Sequence, residues 1–301
     1  MSFKIESEIA SFGGQLIKLS HESPITNTKM DVNIYLPKKY FELKDKNSQE
    51  SELPVLLYLS GLTCTPNNAS EKAFWQPYAN EYGFAVVLPD TSPRGAGIEG
   101  EDESWDFGTG AGFYVDSIKE PWNKNYNMYS YILKDLLPNL KNQFKILNFD
   151  KISITGHSMG GYGAMMFYLK NPGYFKSCSA FAPISNPSKC KWGEKCFGNY
   201  LGDDQKKWLE YDPTELIKNF NNEGDDKILP PILIHTGKND PFYYRDLQLL
   251  PENLIEASKE SKVKVDVNLV DGYDHSYYFI SSFTKDHAAH HAKYLGLSSK
   301  L

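Results

Sequence analysis

The sequence predicts an α/β fold built on a mainly parallel central sheet with helices on both faces. Short apolar runs of strand length alternate along the 301-residue chain with longer stretches of helical spacing, the pattern of repeated strand–helix–strand units. The runs at 54–59 and 84–89 are apolar almost throughout, as expected of strands covered on both faces. We expect one domain over residues 1–301, with an excursion over the sheet at about 183–229, where periodicity is weak.

The predicted elements follow from local patterning in chain order. Alternating polar and apolar residues indicate a hairpin at one edge of the sheet, and apolar or β-branched runs indicate the buried strands. Strands are predicted at 15–19, 30–36, 54–59, 84–89, 151–155, 178–182, 232–236 and 263–270. Apolar residues at helical spacing predict helices at 71–82, 128–144, 205–211, 247–261 and 277–295, and a helix beginning at 159.

Composition and charge exclude some classes of protein. A formal net charge of −6 gives no basic surface for nucleic acid. No stretch is long and apolar enough to span a bilayer, and the N-terminus lacks the apolar run of a signal peptide, so we expect no membrane contact. Four cysteines in a chain of this size predict free thiols in a reducing compartment rather than a disulfide framework.

The pattern that carries chemistry is Gly156-x-Ser158-x-Gly160, between a predicted strand and a predicted helix. In that setting the pattern is typical of a nucleophile elbow, a sharp turn that exposes a serine hydroxyl. Glycines are needed because a Cβ would collide with the neighbouring strand or helix. The following helix would direct its N-terminal amides at the site, where negative charge develops during acyl transfer. The alternative is a glycine-rich turn whose serine has no chemical role.

Two further positions complete a predicted serine-hydrolase triad. Asp240 and His275 each follow a predicted strand, and ligands bind at the carboxyl ends of the strands in such sheets. The order Ser, Asp, His along the chain is that of the α/β-hydrolase fold. His275 would take the proton of the serine as it attacks, and Asp240 would orient the imidazole. Asp271 and Asp274 are competing acids, but they lie too close to His275 in sequence to be preferred.

Acyl transfer also needs two backbone donors for the developing oxyanion. The N–H of Met159, directly after the nucleophile, should be one of them. The second should come from the loop after the first buried strand, residues 60–63, and we predict the N–H of Leu62.

Five stretches carry a resemblance to a known family: 58–65 (YLSGLTCT), 89–95 (PDTSPRG), 156–163 (GHSMGGYG), 179–183 (SAFAP) and 274–279 (DHSYYF). Together they resemble the S-formylglutathione hydrolases, also known as the esterase D family, over about residues 10–297. The stretch at 68–75 (NASEKAFW) is most similar to fungal members. The resemblance implies a serine thioesterase that hydrolyses S-formylglutathione to formate and glutathione in formaldehyde oxidation. It also implies that no metal or other cofactor is needed and that a homodimer is common.

The resemblance also draws attention to residues around the triad. Cys64 matches a thiol-reagent-sensitive cysteine of the family, and we predict a modulatory thiol rather than a nucleophile because no second histidine is placed to activate it. A small packing residue is the alternative. A formyl group needs a tight acyl pocket, which Trp192 or Trp105 could close, although large aromatics also fill cores. Arg94, with Lys72 next, is the candidate anchor for the negatively charged glutathione.

Two short signals remain. Ser299-Lys300-Leu301 matches the C-terminal tripeptide that a peroxisomal import receptor recognises. The two alternatives are a peroxisomal pool beside a cytoplasmic one, and a chance match. His287 and His290-His291 could bind a metal, but no acidic or cysteine ligand accompanies them, so we predict a surface helix and no metal site.

Three functions therefore compete. The first is the glutathione thioesterase, and the second is a broad-specificity carboxylesterase with the same triad. The third is a non-catalytic binding protein of the hydrolase fold, which would show a damaged triad or a blocked elbow. We expect the first.

Overall fold

A nine-stranded mixed sheet forms the centre of the computed structural model, which describes residues 3–46, 53–220 and 229–299. The strands are β1 (Lys4–Ser11), β2 (Gly14–Ser23), β3 (Thr28–Leu36), β4 (Leu53–Leu59), β5 (Ala85–Pro89), β6 (Leu147–Gly156), β7 (Phe175–Phe181), β8 (Ile232–Gly237) and β9 (Val265–Val270). Their order across the sheet is β1-β2-β3-β5-β4-β6-β7-β8-β9. Pairing is antiparallel from β1 to β5 and parallel from β5 to β9. The prediction of a mainly parallel sheet with an antiparallel hairpin at one edge is confirmed.

Helices connect the strands and pack on the sheet. They are α1 (Lys38–Asp45), α2 (Pro66–Lys72), α3 (Trp75–Tyr82), α4 (Met128–Ser130), the π-helix Tyr131–Leu136, α5 (Leu137–Gln143), α6 (Met159–Lys170), α7 (Lys191–Tyr200), α8 (Gln205–Leu209), α9 (Pro213–Asn219), α10 (Pro241–Tyr244), α11 (Pro251–Lys259) and α12 (Tyr277–Leu295). Short 3₁₀ turns span Trp122–Lys124 and Pro187–Lys189.

Helices α12 and α6 cover opposite faces of β7. The hydroxyl of Ser179 hydrogen-bonds to His287 and His291 of α12, at 2.8 Å and 2.7 Å. The side chain of the next residue, Ala180, lies against Gly161 of α6, where an added Cβ would be 3.3 Å away. Because successive residues of a strand point to opposite faces, the two helices sandwich the sheet. The prediction of helices on both faces is therefore confirmed.

The first strand and the helix at 71–82 differ from the prediction. Strand β1 was not predicted, because its side chains are exposed or half-buried throughout and give no apolar alternation. The predicted helix is two helices, α2 and α3, because Phe74 between them has a φ of 57°, which is left-handed. Thr65 caps the first of them by accepting a hydrogen bond from the Asn67 N–H at 3.3 Å.

The excursion at 183–229 is more ordered than its sequence periodicity indicates. Three helices, α7, α8 and α9, lie within the part of it that the structure describes; residues 221–228 lie outside. The side chains of Asp204 and Asp212 cap α8 and α9 by accepting hydrogen bonds from the first amides of each. Helix α8 lies within the helix predicted at 205–211, whereas α7 and α9 were not predicted.

The three histidines of α12 do not form a surface cluster, so that prediction is wrong. His287 and His291 are fully buried against the sheet, and Nε2 of His290 donates a hydrogen bond of 3.1 Å to the carbonyl oxygen of Cys178 in β7. His287 also bonds His235 of β8 at 3.0 Å. Most buried apolar residues of the described ranges form one cluster from Phe3 to Ala288, and a single domain over residues 1–301 stays a prediction.

Candidate active site

Ser158 lies at the sharp turn between β6 and α6. Its φ of 54° and ψ of −122° put a non-glycine residue in the positive-φ region, which L side chains rarely adopt. The turn is closed by two glycines, because an added Cβ at Gly156 would collide with the carbonyl of Gly160 and one at Gly160 would collide with the carbonyl of Leu59. The local sequence therefore folds into the strained turn that the elbow pattern predicts.

Asp240 and His275 meet at the carboxyl ends of neighbouring strands. Asp240 follows β8 and is fully buried, and its Oδ2 lies 2.5 Å from Nδ1 of His275, which follows β9. Oδ1 of Asp240 accepts a hydrogen bond from the Phe242 N–H at 2.8 Å, so the cap of α10 fixes the carboxylate. A carboxylate only accepts hydrogen bonds, so Nδ1 of His275 carries the proton and Nε2 offers its lone pair.

The competing acids are engaged elsewhere. Asp271 forms an exposed ion pair with Lys238 at 3.0 Å. Oδ1 of Asp274 accepts hydrogen bonds from the N–H and Oγ–H of Ser276, at 2.9 Å and 2.6 Å. Among the described residues, Asp240 alone supplies a carboxylate to His275.

Ser158 and His275 form no hydrogen bond with each other in the described residues, and their proximity is indicated through His157, the neighbour of Ser158. His157, beside the serine, has its pKa lowered to about 3, first by burial and then by the neighbouring charge of His275. The ring of Tyr277, two residues after His275, packs on His157 with 5.2 Å between centroids. Catalytic hydrogen bonds are often long before substrate binds and shorten in the Michaelis complex.

The backbone N–H groups of Leu62 and Met159 are the two predicted oxyanion donors. Within the described ranges, the N–H groups of Leu62 and Met159 have no hydrogen-bond acceptor. Loop 60–63 lies directly against the elbow, since an added Cβ at Gly61 would be 2.8 Å from Nε2 of His157 and 3.0 Å from Cβ of Ser158. The arrangement can direct two N–H donors at one oxygen beside the serine.

His157 ties the loop at 60–63 to the elbow, which the sequence reasoning missed. Its Nε2 accepts a hydrogen bond from the Gly61 N–H at 3.2 Å, so its Nδ1 carries the proton and donates to the Tyr58 hydroxyl at 2.9 Å. Tyr114 holds the same loop by donating to the carbonyl of Ser60 at 2.9 Å. A histidine inside the elbow pattern was the only sequence signal for this contact.

Cys64 lies beside the loop at 60–63. Its Sγ is 3.9 Å from Nε2 of His157 and 3.7 Å from the hydroxyl of Tyr277. The side chain is buried, and burial raises the pKa of the thiol above its usual value. Cys64 is therefore a protonated thiol at neutral pH, next to the elbow.

The two predicted glutathione anchors have different surroundings. Arg94 donates to both carboxylate oxygens of buried Asp90, at 2.8 Å and 2.9 Å, and to the carbonyl of Cys64 at 3.1 Å. Its guanidinium thus holds the protein together, and we do not propose it as a substrate contact. Lys72 is exposed at the end of α2, near enough that its charge favours the Cys64 thiolate.

Trp192 and Trp105 belong to a row of rings that ends at the imidazole. Trp192 is buried and packs on Phe242, with 4.7 Å between centroids, and Phe242 packs on His275 at 4.9 Å. Trp105 is 55% exposed and meets Trp192 edge-on at 5.6 Å. One ring, that of Phe242, lies between Trp192 and His275. A role of Trp192 or Trp105 in the acyl pocket stays a prediction.

The described residues contain neither a metal-binding cluster nor a membrane-spanning helix. In the described part of the chain, no group of three or more His, Cys, Asp or Glu side chains could hold a metal ion. No helix there has the length and hydropathy needed to cross a bilayer. Lys300 and Leu301 of the predicted peroxisomal signal lie outside the described residues.

Fold and site together define an esterase of the α/β-hydrolase class, and the Esterase family model matches residues 23–290. S-formylglutathione hydrolases of Saccharomyces cerevisiae and Bos taurus are 51% and 48% identical to this chain, over 98% of it and 99% of each relative. The solved structure of S-formylglutathione hydrolase from Agrobacterium tumefaciens is 42% identical, covers 98% of this chain and 100% of its own, and superposes with a TM-score of 0.88. The chain belongs to the S-formylglutathione hydrolase family, as the resemblance predicted.

Proposed function

We propose that the protein is a serine thioesterase that hydrolyses S-formylglutathione to formate and glutathione. The observation that carries the proposal is the 2.5 Å contact between Asp240 and His275 beside an elbow serine with a φ of 54°. Support for the substrate comes from relatives about half identical to this chain that are S-formylglutathione hydrolases. No metal or cofactor is required by the chemistry proposed below.

The first half-reaction transfers the formyl group to the enzyme. Oγ of Ser158 attacks the thioester carbonyl carbon while Nε2 of His275 takes its proton, and Asp240 stabilises the resulting imidazolium. The carbonyl oxygen becomes an oxyanion, bound by the N–H groups of Leu62 and Met159. Losing one such donor typically raises the barrier by ~3–4 kcal/mol. The intermediate then collapses, the C–S bond breaks, and the imidazolium returns its proton to the sulfur of glutathione.

The second half-reaction releases formate. His275 takes a proton from water, whose oxygen attacks the formyl ester on Ser158. The second oxyanion occupies the same two amides. When the C–O bond to Ser158 breaks, His275 returns the proton to Oγ, and formic acid leaves and loses its own proton to water as formate, with the free enzyme restored.

We propose Cys64 as a modulatory thiol. Its raised pKa argues against a nucleophilic role, because the thiolate is the reactive form. Its position 3.9 Å from Nε2 of His157 means that an added group on sulfur would crowd the loop that carries Leu62. A Cys64→Ser variant should keep most of its activity and lose its sensitivity to alkylating reagents; loss of all activity would contradict the assignment of Ser158.

The test of the function is turnover of S-formylglutathione by the wild type and by Ser158→Ala. We expect rapid formate release by the first and a loss of about 10⁴-fold or more in kcat for the second. Equal rates would overturn the role of Ser158. A wild-type kcat/KM that favours a small aryl acetate over S-formylglutathione would instead support the broad carboxylesterase.

We further propose a homodimer and a peroxisomal pool beside the cytoplasmic one. The support is the family resemblance for the first and the tripeptide Ser299-Lys300-Leu301 for the second. Sedimentation of the purified protein tests the dimer. An N-terminal fluorescent fusion, compared with the same fusion lacking the tripeptide, tests the import: identical distributions would remove the peroxisomal proposal.

A further inference from the structure

A cleft of about 670 Å³ opens at the far end of the aromatic row. It lies between the loop that carries Trp105, the start of α7 and the segment that follows Asp240. Its volume falls in the range of roughly 300–1,000 Å³ typical of small-molecule sites. The walls are tied to one another, because the Trp192 N–H donates to Oε1 of Gln248 at 3.0 Å and Nζ of Lys195 donates to Oγ of Ser104 at 2.8 Å.

The cleft approaches the proposed catalytic imidazole through one side chain, because Phe242 lines the cleft and its ring packs on His275. The rings of Trp105, Trp192, Phe242 and His275 contact one another in that order, with centroid separations of 5.6, 4.7 and 4.9 Å. Phe242 also donates its N–H to Asp240, so the wall of the cleft and the acid are fixed by the same short helix. The nearest wall of the cleft therefore lies one ring away from the proposed catalytic imidazole.

The cleft is basic in a chain whose formal net charge is −6. Its charged lining residues are Lys189, Lys191, Lys195 and Arg245, with Asp106 and Asp246. Lys195 pairs with Asp106 and Arg245 with Asp246. Lys189 and Lys191 are exposed and take part in no ion pair within the described ranges. These two side chains add positive charge to the lining of the cleft beyond its two ion pairs.

We propose that this cleft binds the glutathione moiety of the thioester, an inference that rests on the proposed function. Glutathione carries two carboxylates and one ammonium group, so its excess negative charge complements Lys189 and Lys191. Its peptide backbone and methylenes pack on the indoles of Trp105 and Trp192, as flexible ligands do on rigid aromatic surfaces. The cleft therefore sets the preference for a glutathione thioester, while the elbow performs the same chemistry on any small acyl group.

The test compares two substrates in the double variant Lys189→Gln/Lys191→Gln. We measure kcat/KM for S-formylglutathione and for a neutral aryl acetate in the wild type, the double variant and a matched control, Lys285→Gln, whose lysine is exposed on α12 away from the cleft. The ratio of the two values should fall about five- to tenfold in the double variant through KM for the thioester, and should stay at the wild-type value in the control. Competitive inhibition by reduced glutathione should weaken by a similar factor.

Ionic strength gives a second readout that a folding defect would not reproduce. Screening should raise KM for S-formylglutathione in the wild type, and this dependence should flatten in the double variant. An unchanged substrate ratio and an unchanged salt dependence would overturn the cleft proposal. Failure of the proposed function looks different, because the wild type would then not turn over S-formylglutathione in a Ser158-dependent way.

Discussion

The N–H of Gly61 donates a hydrogen bond of 3.2 Å to Nε2 of His157, the residue directly before the proposed nucleophile. Burial lowers the pKa of His157 to about 3, so the imidazole stays neutral and accepts this hydrogen bond at any ordinary working pH. The elbow thus supports the loop that carries Leu62. This contact fixes the proposed oxyanion donors, the N–H groups of Leu62 and Met159, relative to each other.

Replacing His157 should therefore affect catalysis more than substrate binding. A His157→Phe variant leaves the Gly61 N–H without its acceptor and frees the loop, and we expect kcat for S-formylglutathione to fall by about tenfold or more. Steady-state kinetics checks this expectation. Tyr58→Phe is the matched control, since it removes only the acceptor of Nδ1–H and keeps the contact to Gly61. A fall confined to KM would contradict the positioning role.

Asp240→Asn should reduce kcat by about 10³–10⁴-fold with little change in stability, because asparagine can present the wrong hydrogen-bonding partner to Nδ1 of His275. The cap of α10 should survive, since an amide oxygen can still accept from the Phe242 N–H. Rapid kinetics and urea unfolding measure the two effects. Asp274→Asn is the control, because its carboxylate bonds Ser276; a larger loss in this control would exchange the two assignments.

Arg94→Ala should lower stability and affect all substrates alike. The variant leaves the carboxylate of buried Asp90 without its two guanidinium bonds, at an expected cost of about 1–3 kcal/mol in the free energy of unfolding. Urea unfolding measures that cost against Arg245→Ala, whose exposed pair with Asp246 should contribute less than about 1 kcal/mol. A selective rise in KM for S-formylglutathione would restore Arg94 as a glutathione anchor.

Mild acid should destabilise the protein before its carboxylates titrate. Burial lowers the pKa of six histidines: His21, His157, His235, His287, His290 and His291. Below pH 6.5, the pKa of histidine in the unfolded chain, the unfolded state binds protons that the folded state does not bind. The free energy of unfolding therefore rises as the pH increases towards this value. Each such group contributes up to about 1.4 kcal/mol per pH unit.

Urea midpoints at pH 7.5 and pH 5.5 are the measurement for this acid effect, since most Asp and Glu side chains stay ionised over this interval of about two units. The midpoint should be clearly lower at the acidic value. A His291→Gln variant should show a smaller difference between the two midpoints, because one histidine with a lowered pKa has been removed. Equal midpoints would mean that the buried imidazoles accept protons without cost.

The sequence predicted those parts of the site that lie on strand ends. Ser158, Asp240 and His275 each follow a predicted strand, so the fold class alone predicted that the three residues lie at the same edge of the sheet. His157 and Tyr114 could not be assigned in this way, because their contacts join loops far apart in the chain. The partner of Arg94 was missed for a related reason: Asp90 follows the same strand, and only burial makes it the stronger competitor for the guanidinium.

Fold prediction succeeded where one face of an element is apolar and failed elsewhere. The helix predicted at 277–295 has those bounds in the structure, and its buried residues recur every three or four positions. Strand β1 has no buried face and was missed. The histidines at 287 and 291 were assigned to the surface by their polarity, whereas serine hydroxyls of β7 form hydrogen bonds with them in the interior, and a single sequence does not pair such distant groups.

The proposed base follows the last strand of the sheet, which has β8 as its single neighbour among the described strands. The elbow, in contrast, grows from β6, which is flanked on both sides. The reactivity of the Ser158 hydroxyl thus depends on a residue held at an edge of the sheet. Local unfolding of the β9 edge would abolish activity while most of the backbone stayed ordered. Under mild denaturing conditions, loss of activity should therefore precede global unfolding.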